Sequence, residues 1–188
     1  MPDYRRARIP GGTYFFTVVT HRRVKLFSNR HARDILGNIF RRCQLRRPFS
    51  IDAIVLLPDH LHTIWTLPSG DIDYSGRWNW IKHEFTRLWL ENRGTERPVS
   101  MGRQRERRRG VWQPRFWEHT IETDEDFERH FDYVHYNPVK HGLAASPGDW
   151  PWSSFHRWVK ADVYPEGWGR SKTIGELSFS DIAKTAGE

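Results

Sequence analysis

The 188-residue sequence contains a single cysteine, Cys43, so no disulfide bond can form within the chain. This absence excludes the disulfide-rich class of secreted domains and favours a protein of the reducing cytoplasm. Long apolar runs are also absent, since no stretch approaches the roughly 20 residues that a membrane helix needs. The first residues read MPDYRRARIPGG and lack the apolar segment of a signal peptide. The sequence therefore predicts a protein that is neither secreted nor bound in a membrane.

Acidic residues are in the minority, with 23 Asp and Glu against 30 Lys and Arg, which gives a net charge of +7. A basic chain favours a polyanionic partner such as nucleic acid, although many soluble proteins are basic without binding one. Aromatic residues are plentiful and include ten tryptophans. Their rings suit both a protein core and stacking on unpaired bases.

Apolar periodicity divides the chain into strands and helices. The predicted strands cover residues 13–20, 51–57, 60–67 and 112–121, the last interrupted by Pro114. The first predicted helix follows the Ser28-Asn29 cap, the second covers residues 74–90, and the third runs from Thr123 to about Tyr136. The third helix should end there because Pro138 disfavours helical geometry at Asn137.

This order of elements predicts an α+β fold. Two strands joined only by Pro58-Asp59 must be antiparallel neighbours, because a parallel pair needs a long crossover. The whole order matches a ferredoxin-like sandwich, an antiparallel sheet with two helices on one face. The third helix is then left to cover part of the other face. We expect one domain over residues 1–158 and a C-terminal extension over residues 159–188, with irregular structure after Gly142.

The pair His60 and His62 is the first candidate for chemistry. Side chains at i and i+2 of a strand point to the same face, so the two imidazoles can converge on one metal ion. Two surface histidines on a half-exposed strand would give the same pattern. This strand directly follows a buried one, however, which places the pair near the centre of the sheet.

A polar stripe along the third predicted helix is the second candidate. It comprises Asp126, His130, Tyr133 and Asn137, at steps of 4, 3 and 4 residues. An ordinary amphipathic helix with a half-buried tyrosine would also fit. A tyrosine becomes a useful nucleophile where a metal polarises the electrophile, and the Asn137 amide oxygen is a plausible third ligand beside two histidines. Such a mixed site with open positions suits Mg²⁺ or Mn²⁺, and imidazole also accepts Zn²⁺.

Several segments resemble one known family. They read LLPDHLHTIW (56–65), WQPRFWEHTI (112–121) and YVHYNPVKHGL (133–143), with YRRARIPGGTYFFTVVT and WPWSSF outside them. These segments are similar to the REP-associated tyrosine transposases, a branch of the IS200-like transposases within the HUH endonucleases. The resemblance covers about residues 4–158, in order and at the expected spacing.

The resemblance implies a role for each candidate residue. The family's metal-binding histidines correspond to His60 and His62, and its nucleophile corresponds to Tyr133. The metal-binding amide, often Gln in the family, corresponds to Asn137. Tyr136 lies only about 60° from the helical face of Asn137, by the ~100° step of a helix. Geometry alone therefore does not exclude Tyr136 as the nucleophile, and the choice of Tyr133 rests on the family motif.

The family's reaction is attack on a DNA phosphodiester next to an imperfect palindromic hairpin. It leaves a 5′-phosphotyrosine link and a free 3′-OH, and the reverse step rejoins strands. The family implies single-stranded hairpin DNA as partner and a monomer or homodimer. Two alternatives remain: a hairpin-binding protein with an unused site, and a metal-dependent phosphodiesterase that activates water.

Basic residues predict where DNA phosphates bind. The segment RQRERRR should form a mobile loop that follows the phosphates and contributes affinity more than sequence choice. A solvated loop that contacts nothing is the alternative. The candidate DNA-binding residues are Arg5, Arg6, Arg103, Arg105, Arg107, Arg108, Arg109 and Arg115.

Overall fold

The computed structural model describes residues 8–106, 108–170 and 179–186. Its strands are β1 (Thr13–Val19), β2 (Ser50–Leu56), β3 (His60–Thr66) and β4 (Trp117–Ile121). Its helices are α1 (Arg30–Arg46), α2 (Tyr74–Glu91), α3 (Met101–Arg105), α4 (Asp124–Lys140), α5 (Phe155–Lys160) and α6 (Ser180–Thr185). Among the described residues, no helix combines the length and the apolar character that crossing a membrane requires.

The four strands form one sheet in the order β2-β3-β1-β4, and every neighbouring pair is antiparallel. This is the order of a ferredoxin-like sandwich, so the predicted fold class is confirmed. Helices α1 and α2 pack on one face of the sheet, and α4 packs on the other against β2 and β3.

Each long helix begins at a side-chain cap, which satisfies one of the backbone N–H groups that lack a partner in the first turn. Asn29, Asp73 and Thr123 accept these bonds at the starts of α1, α2 and α4. Three acidic residues in the first turn of α4 add a favourable interaction with the helix dipole.

Helix α4 continues past the predicted end at Tyr136, so that boundary is wrong. Pro138 lies inside the last turn, where its missing N–H costs only one backbone hydrogen bond. Gly142 then ends the helix with φ +65°, and its N–H and that of Leu143 bond to the carbonyls of Val139 and Pro138. The extra turn keeps Asn137 in helical register with Tyr133.

Two further boundaries differ from the prediction. The fourth strand starts at Trp117 and not at residue 112, because the segment around Pro114 does not pair with β1. Trp112 forms only an isolated bridge with Thr20. The stretch after Gly142 is not wholly irregular, since it includes α5, and Tyr164 beyond it is 6% exposed within the core beneath α4.

Candidate active site

The two histidines of β3 lie on the face that α4 covers. His60 and His62 are 2% and 0% exposed, and their ring centroids are 4.9 Å apart. They are therefore not surface histidines on a half-exposed strand. Burial of two imidazoles side by side on a sheet requires polar partners for their ring nitrogens.

Each histidine has such a partner at Nδ1. His60 Nδ1 donates to Asp59 Oδ1 at 2.6 Å, and His62 Nδ1 lies 2.9 Å from Thr17 Oγ1. A carboxylate or hydroxyl at Nδ1 fixes the ring orientation and directs the Nε2 lone pair toward a metal, as in many metal sites. Burial by itself would raise the pKa of Asp59, but the hydrogen bond and charge of His60, together with Arg23, bring it below the usual value.

Helix α4 places Tyr133 against His62 of this pair. The Tyr133 ring lies 5.4 Å from the His62 ring and 5.9 Å from the Phe15 ring, and the residue is fully buried. The Tyr136 ring lies 6.2 Å from the Trp168 ring, and both tyrosine rings contact Phe179. Helical register thus brings the first tyrosine to His62 and the second to Trp168.

Asn137 lies one turn after Tyr133 and is also fully buried. Its Nδ2 donates to the Tyr133 carbonyl at 3.2 Å. Its Oδ1 accepts no hydrogen bond from any described residue, although it is buried. A buried amide oxygen without a donor is costly unless something else satisfies it.

Two side chains that contact the candidate site were missed by sequence reasoning. Lys140 donates from Nζ to the Tyr133 hydroxyl at 3.1 Å, and the ammonium lies 4.9 Å from the centre of that ring. The His141 ring lies 5.3 Å from the His60 ring. Both residues follow from the helix period, since Lys140 is two turns beyond Tyr133 and His141 is one turn beyond Asn137.

A donor set of two imidazoles and one amide oxygen fits a divalent ion. The orphaned Asn137 Oδ1 supports this fit, because an ion would supply the missing partner. The Phe179 ring lies against the Tyr133 ring, at 5.6 Å between centroids.

The predicted DNA-binding arginines fall into three groups. Arg5, Arg6 and Arg107 lie outside the described residues. Arg103, Arg108 and Arg115 line one groove of about 470 Å³ with His21 and Arg22, at the end of the sheet where β1 ends. Lys82 and His83 of α2 line the adjoining groove.

The remaining two predicted arginines differ from each other. Arg109 lines the adjoining groove and is paired with Glu96, whereas Arg105 lies exposed in α3. The segment is thus not a continuous loop as predicted, because Ser100 caps α3 and residues 101–105 are helical.

Comparison with known proteins gives consistent matches. The family model described as "Transposase IS200 like" matches residues 10–137. A protein of Haemophilus influenzae is 43% identical over 169 residues, which cover 90% of this chain and 94% of that protein. A REP-associated tyrosine transposase of Escherichia coli is 42% identical over 175 residues, which cover 92% and 94%.

A solved structure is similar over the same region. It shows a REP-associated tyrosine transposase bound to a REP hairpin, at a TM-score of 0.75 and 42% identity. The match covers 89% of this chain and 91% of that one.

Proposed function

Because this chain belongs to the REP-associated tyrosine transposases of the IS200-like family, we propose that it cleaves and rejoins single-stranded DNA beside palindromic hairpins. Tyr133 is the proposed nucleophile. The family implies DNA strand cleavage and joining in general. The observation that supports the residue assignment is the convergence of a buried tyrosine, two buried histidines and an orphaned amide oxygen on one face of the sheet.

We assign His60, His62 and Asn137 as the residues that hold a divalent ion, Mg²⁺ or Mn²⁺. When bound, the ion withdraws charge from the scissile phosphate and so lowers the barrier to attack. Asp59 and Thr17 hold the two imidazoles in the orientation that ligation needs.

Tyr133 attacks the phosphorus through its phenolic oxygen. As that bond forms, the bond from phosphorus to the 3′-oxygen breaks. The departing oxygen gains a proton as the phenol loses one. The Lys140 ammonium, within hydrogen-bond distance of the phenolic oxygen, stabilises the negative charge that develops there. The product is a 5′-phosphotyrosine link and a 3′-OH, and the reverse attack rejoins a strand without ATP.

The hairpin stem is the proposed partner of the basic groove. Arg103, Arg108 and Arg115 line that groove, and arginine forms charge-assisted hydrogen bonds with phosphate. The similar structure was solved with a REP hairpin, which supports the same class of partner for this chain.

A labelled single-stranded hairpin with an unpaired flank tests the proposal. Incubation with Mn²⁺ or Mg²⁺ should give a cut strand and a denaturation-resistant protein–DNA adduct, with the nucleotide on Tyr133 by peptide mass spectrometry. Cleavage without an adduct would favour the phosphodiesterase that activates water. Tight binding with neither product would favour the protein with an unused site, and an adduct on Tyr136 would refute the assignment of the nucleophile.

A further inference from the structure

Three side chains outside the proposed active site converge between β4 and α4. His119 Nε2 lies 2.8 Å from Asp126 Oδ2, and His130 Nδ1 lies 2.9 Å from Asp126 Oδ1. One nitrogen of each histidine and a carboxylate oxygen all lie within 4.8 Å of one another. Two of these residues, Asp126 and His130, belong to the polar stripe of α4, and the proposed reaction uses neither of them.

Helix α4 supplies two of the three side chains, and strand β4 supplies the third. Asp126 and His130 are four residues apart on α4 and so share a helix face. The Thr123 cap, which accepts from the Asp126 N–H at 3.1 Å, fixes the position of that first turn. His119 pairs with Phe15 across the sheet and points to the same side, where its ring stacks on His130 at 4.5 Å.

We propose that His119, Asp126 and His130 form a second binding site for a divalent transition-metal ion, which fastens the edge strand β4 to α4. Two imidazole nitrogens and one carboxylate oxygen are a donor set that Zn²⁺ and Mn²⁺ accept, with positions left open for water. The site does not depend on the function proposed for His60 and His62, with which it shares no ligand.

Burial and charge both suit this assignment. The side chains of His119 and Asp126 are 37% and 24% exposed, so an ion can enter from solvent, whereas that of His130 is 6% exposed. Burial lowers the pKa of His130 and keeps its ring neutral, which ligation requires. Burial also opposes ionisation of Asp126, but the hydrogen bond and charge of His119 outweigh it and hold that pKa below the usual value.

Binding is an exchange of partners at these atoms. An ion held at Nδ1 of His130 and Nε2 of His119 would replace the two His–Asp contacts and also the 2.9 Å hydrogen bond between His130 Nδ1 and the Asp126 backbone carbonyl. Each ligating imidazole would then carry its proton on the other ring nitrogen. Without the ion, the same three residues form a hydrogen-bonded cluster. The carboxylate remains paired in either state, so the cluster carries no uncompensated buried charge.

The second ion would lie next to the nucleophile. His130 is one turn before Tyr133 on α4, and the Phe15 ring contacts both, at 4.9 Å and 5.9 Å. An ion that ties α4 to β4 would therefore limit movement of the turn that carries Tyr133. Its absence would loosen the nucleophile without removing any group of the proposed active site.

Counting bound ions tests the site directly. The full chain, stripped with a chelator, is dialysed against Mn²⁺ or Zn²⁺ and its metal content is measured. His119→Ala should bind one ion fewer than the wild type, and the double variant His60→Ala, His62→Ala should also bind one fewer. An unchanged ion count in His119→Ala would overturn the second site, whatever the result for the histidine pair.

Two controls separate a metal site from a hydrogen-bonded cluster. Asp126→Asn keeps the shape of the carboxylate but removes its charge. The affinity of this variant for the second ion should be lower by about tenfold or more. His156→Ala removes an exposed histidine elsewhere and should leave the count unchanged. Circular dichroism in chelator verifies that each variant is folded, and equal metal affinity of Asp126→Asn and wild type would also overturn the proposal.

Discussion

The two faces of the sheet differ sharply, although the same strands supply both. The face under α1 and α2 buries Phe16 and Trp65, whereas the face under α4 buries Phe15, His60 and His62. Neighbouring residues such as Phe15 and Phe16 fall on opposite sides because strand side chains alternate. Consecutive residues of one strand therefore contribute to two different faces, the aromatic core under α1 and α2 and the face that carries the candidate site.

The α1/α2 face is an aromatic core. Trp65 and Trp78 stack at 4.3 Å with an interplanar angle of 15°, and Phe16 meets both rings edge-on. Such pairs add about 0.5–1.5 kcal/mol each beyond the burial of their area. This face buries a large aromatic cluster, whereas the core under α4 combines apolar residues such as Val55 and Ile64 with the buried histidines.

The α4 face carries polar groups that are matched one to one. His60 meets Asp59, and His62 meets Thr17. His135 likewise meets the Ser154 hydroxyl at 2.8 Å. Asn137 Oδ1 departs from this pattern, but so do the indole nitrogens of Trp65 and Trp78 on the other face, which also lack a hydrogen-bond partner among the described residues. The difference between the faces teaches that an unmatched atom does not mark the site by itself. What sets the α4 face apart is that its unmatched amide oxygen shares a face with two buried histidines and a buried tyrosine.

The largest expected effect is on the α4 face. Tyr133→Phe removes one hydroxyl and should abolish adduct formation and strand cleavage. It should cost only about 0.5–1.5 kcal/mol of stability, for the lost Lys140 hydrogen bond. Gel assays of hairpin cleavage and chemical unfolding measure the two effects. Tyr136→Phe is the matched control and should cleave normally; equal loss in both variants would contradict the assignment.

The α1/α2 face should respond in the opposite way. Trp78→Ala leaves a large cavity and should lower the free energy of unfolding by about 3–5 kcal/mol. Cleavage per folded molecule should stay near the wild-type value below the unfolding temperature. Trp152→Ala, at a residue already 38% exposed, should cost far less. A specific loss of cleavage in folded Trp78→Ala would break the separation between the two faces.

A weaker effect is expected where a residue acts through a metal-binding histidine. Asp59→Asn removes the charge that orients His60 and should weaken metal binding about 10–100-fold, with cleavage restored at higher metal concentration. Metal titrations of cleavage rate measure this shift. Asp52→Asn is the control, because Asp52 accepts from Thr66 at the other end of the sheet. Loss of cleavage that added metal does not restore would show that Asp59 does more than orient the ring.

The order of strands and helices along the chain, and the placement of His60 and His62 on one strand face, could be predicted because both depend on local periods of the chain. The end of α4 could not, because packing and the Gly142 cap outweigh the local penalty of Pro138. Thr17 was also missed, since the contact with His62 joins residues 45 positions apart. No local pattern in the sequence encodes a contact of that separation.

Acid should destabilise the α4 face through His135. Burial lowers its pKa to about 3, so the unfolded state binds a proton that the folded state excludes. Stability should therefore fall by about 1.4 kcal/mol for each pH unit between the usual histidine pKa of about 6.5 and the folded-state pKa of about 3. Unfolding between pH 7 and 5 measures this slope. His135→Asn should flatten it, whatever the variant's absolute stability, and an unchanged slope would refute the account.

The smallest expected effect is on the salt dependence of DNA binding, through the arginines of the basic groove beside α2. Arg108 and Arg115 line the groove beside α2, together with Lys82 and His83. If they contact hairpin phosphates, replacing both with Ser should reduce the salt dependence of binding by roughly 0.7–0.9 per lost contact. Titrations of hairpin DNA at several salt concentrations give this slope.

The comparison between the faces predicts which quantities the two arginines leave unchanged. Phosphate contacts carry no base information, so preference among hairpin sequences should persist, and bound DNA should be cleaved at the wild-type rate. Arg87→Ser is the control, because that side chain is paired with Glu84 and Glu91 on α2. An unchanged slope would mean that the groove is idle. A changed sequence preference would instead mean that these arginines read base edges, which would give the α1/α2 side a part in specificity.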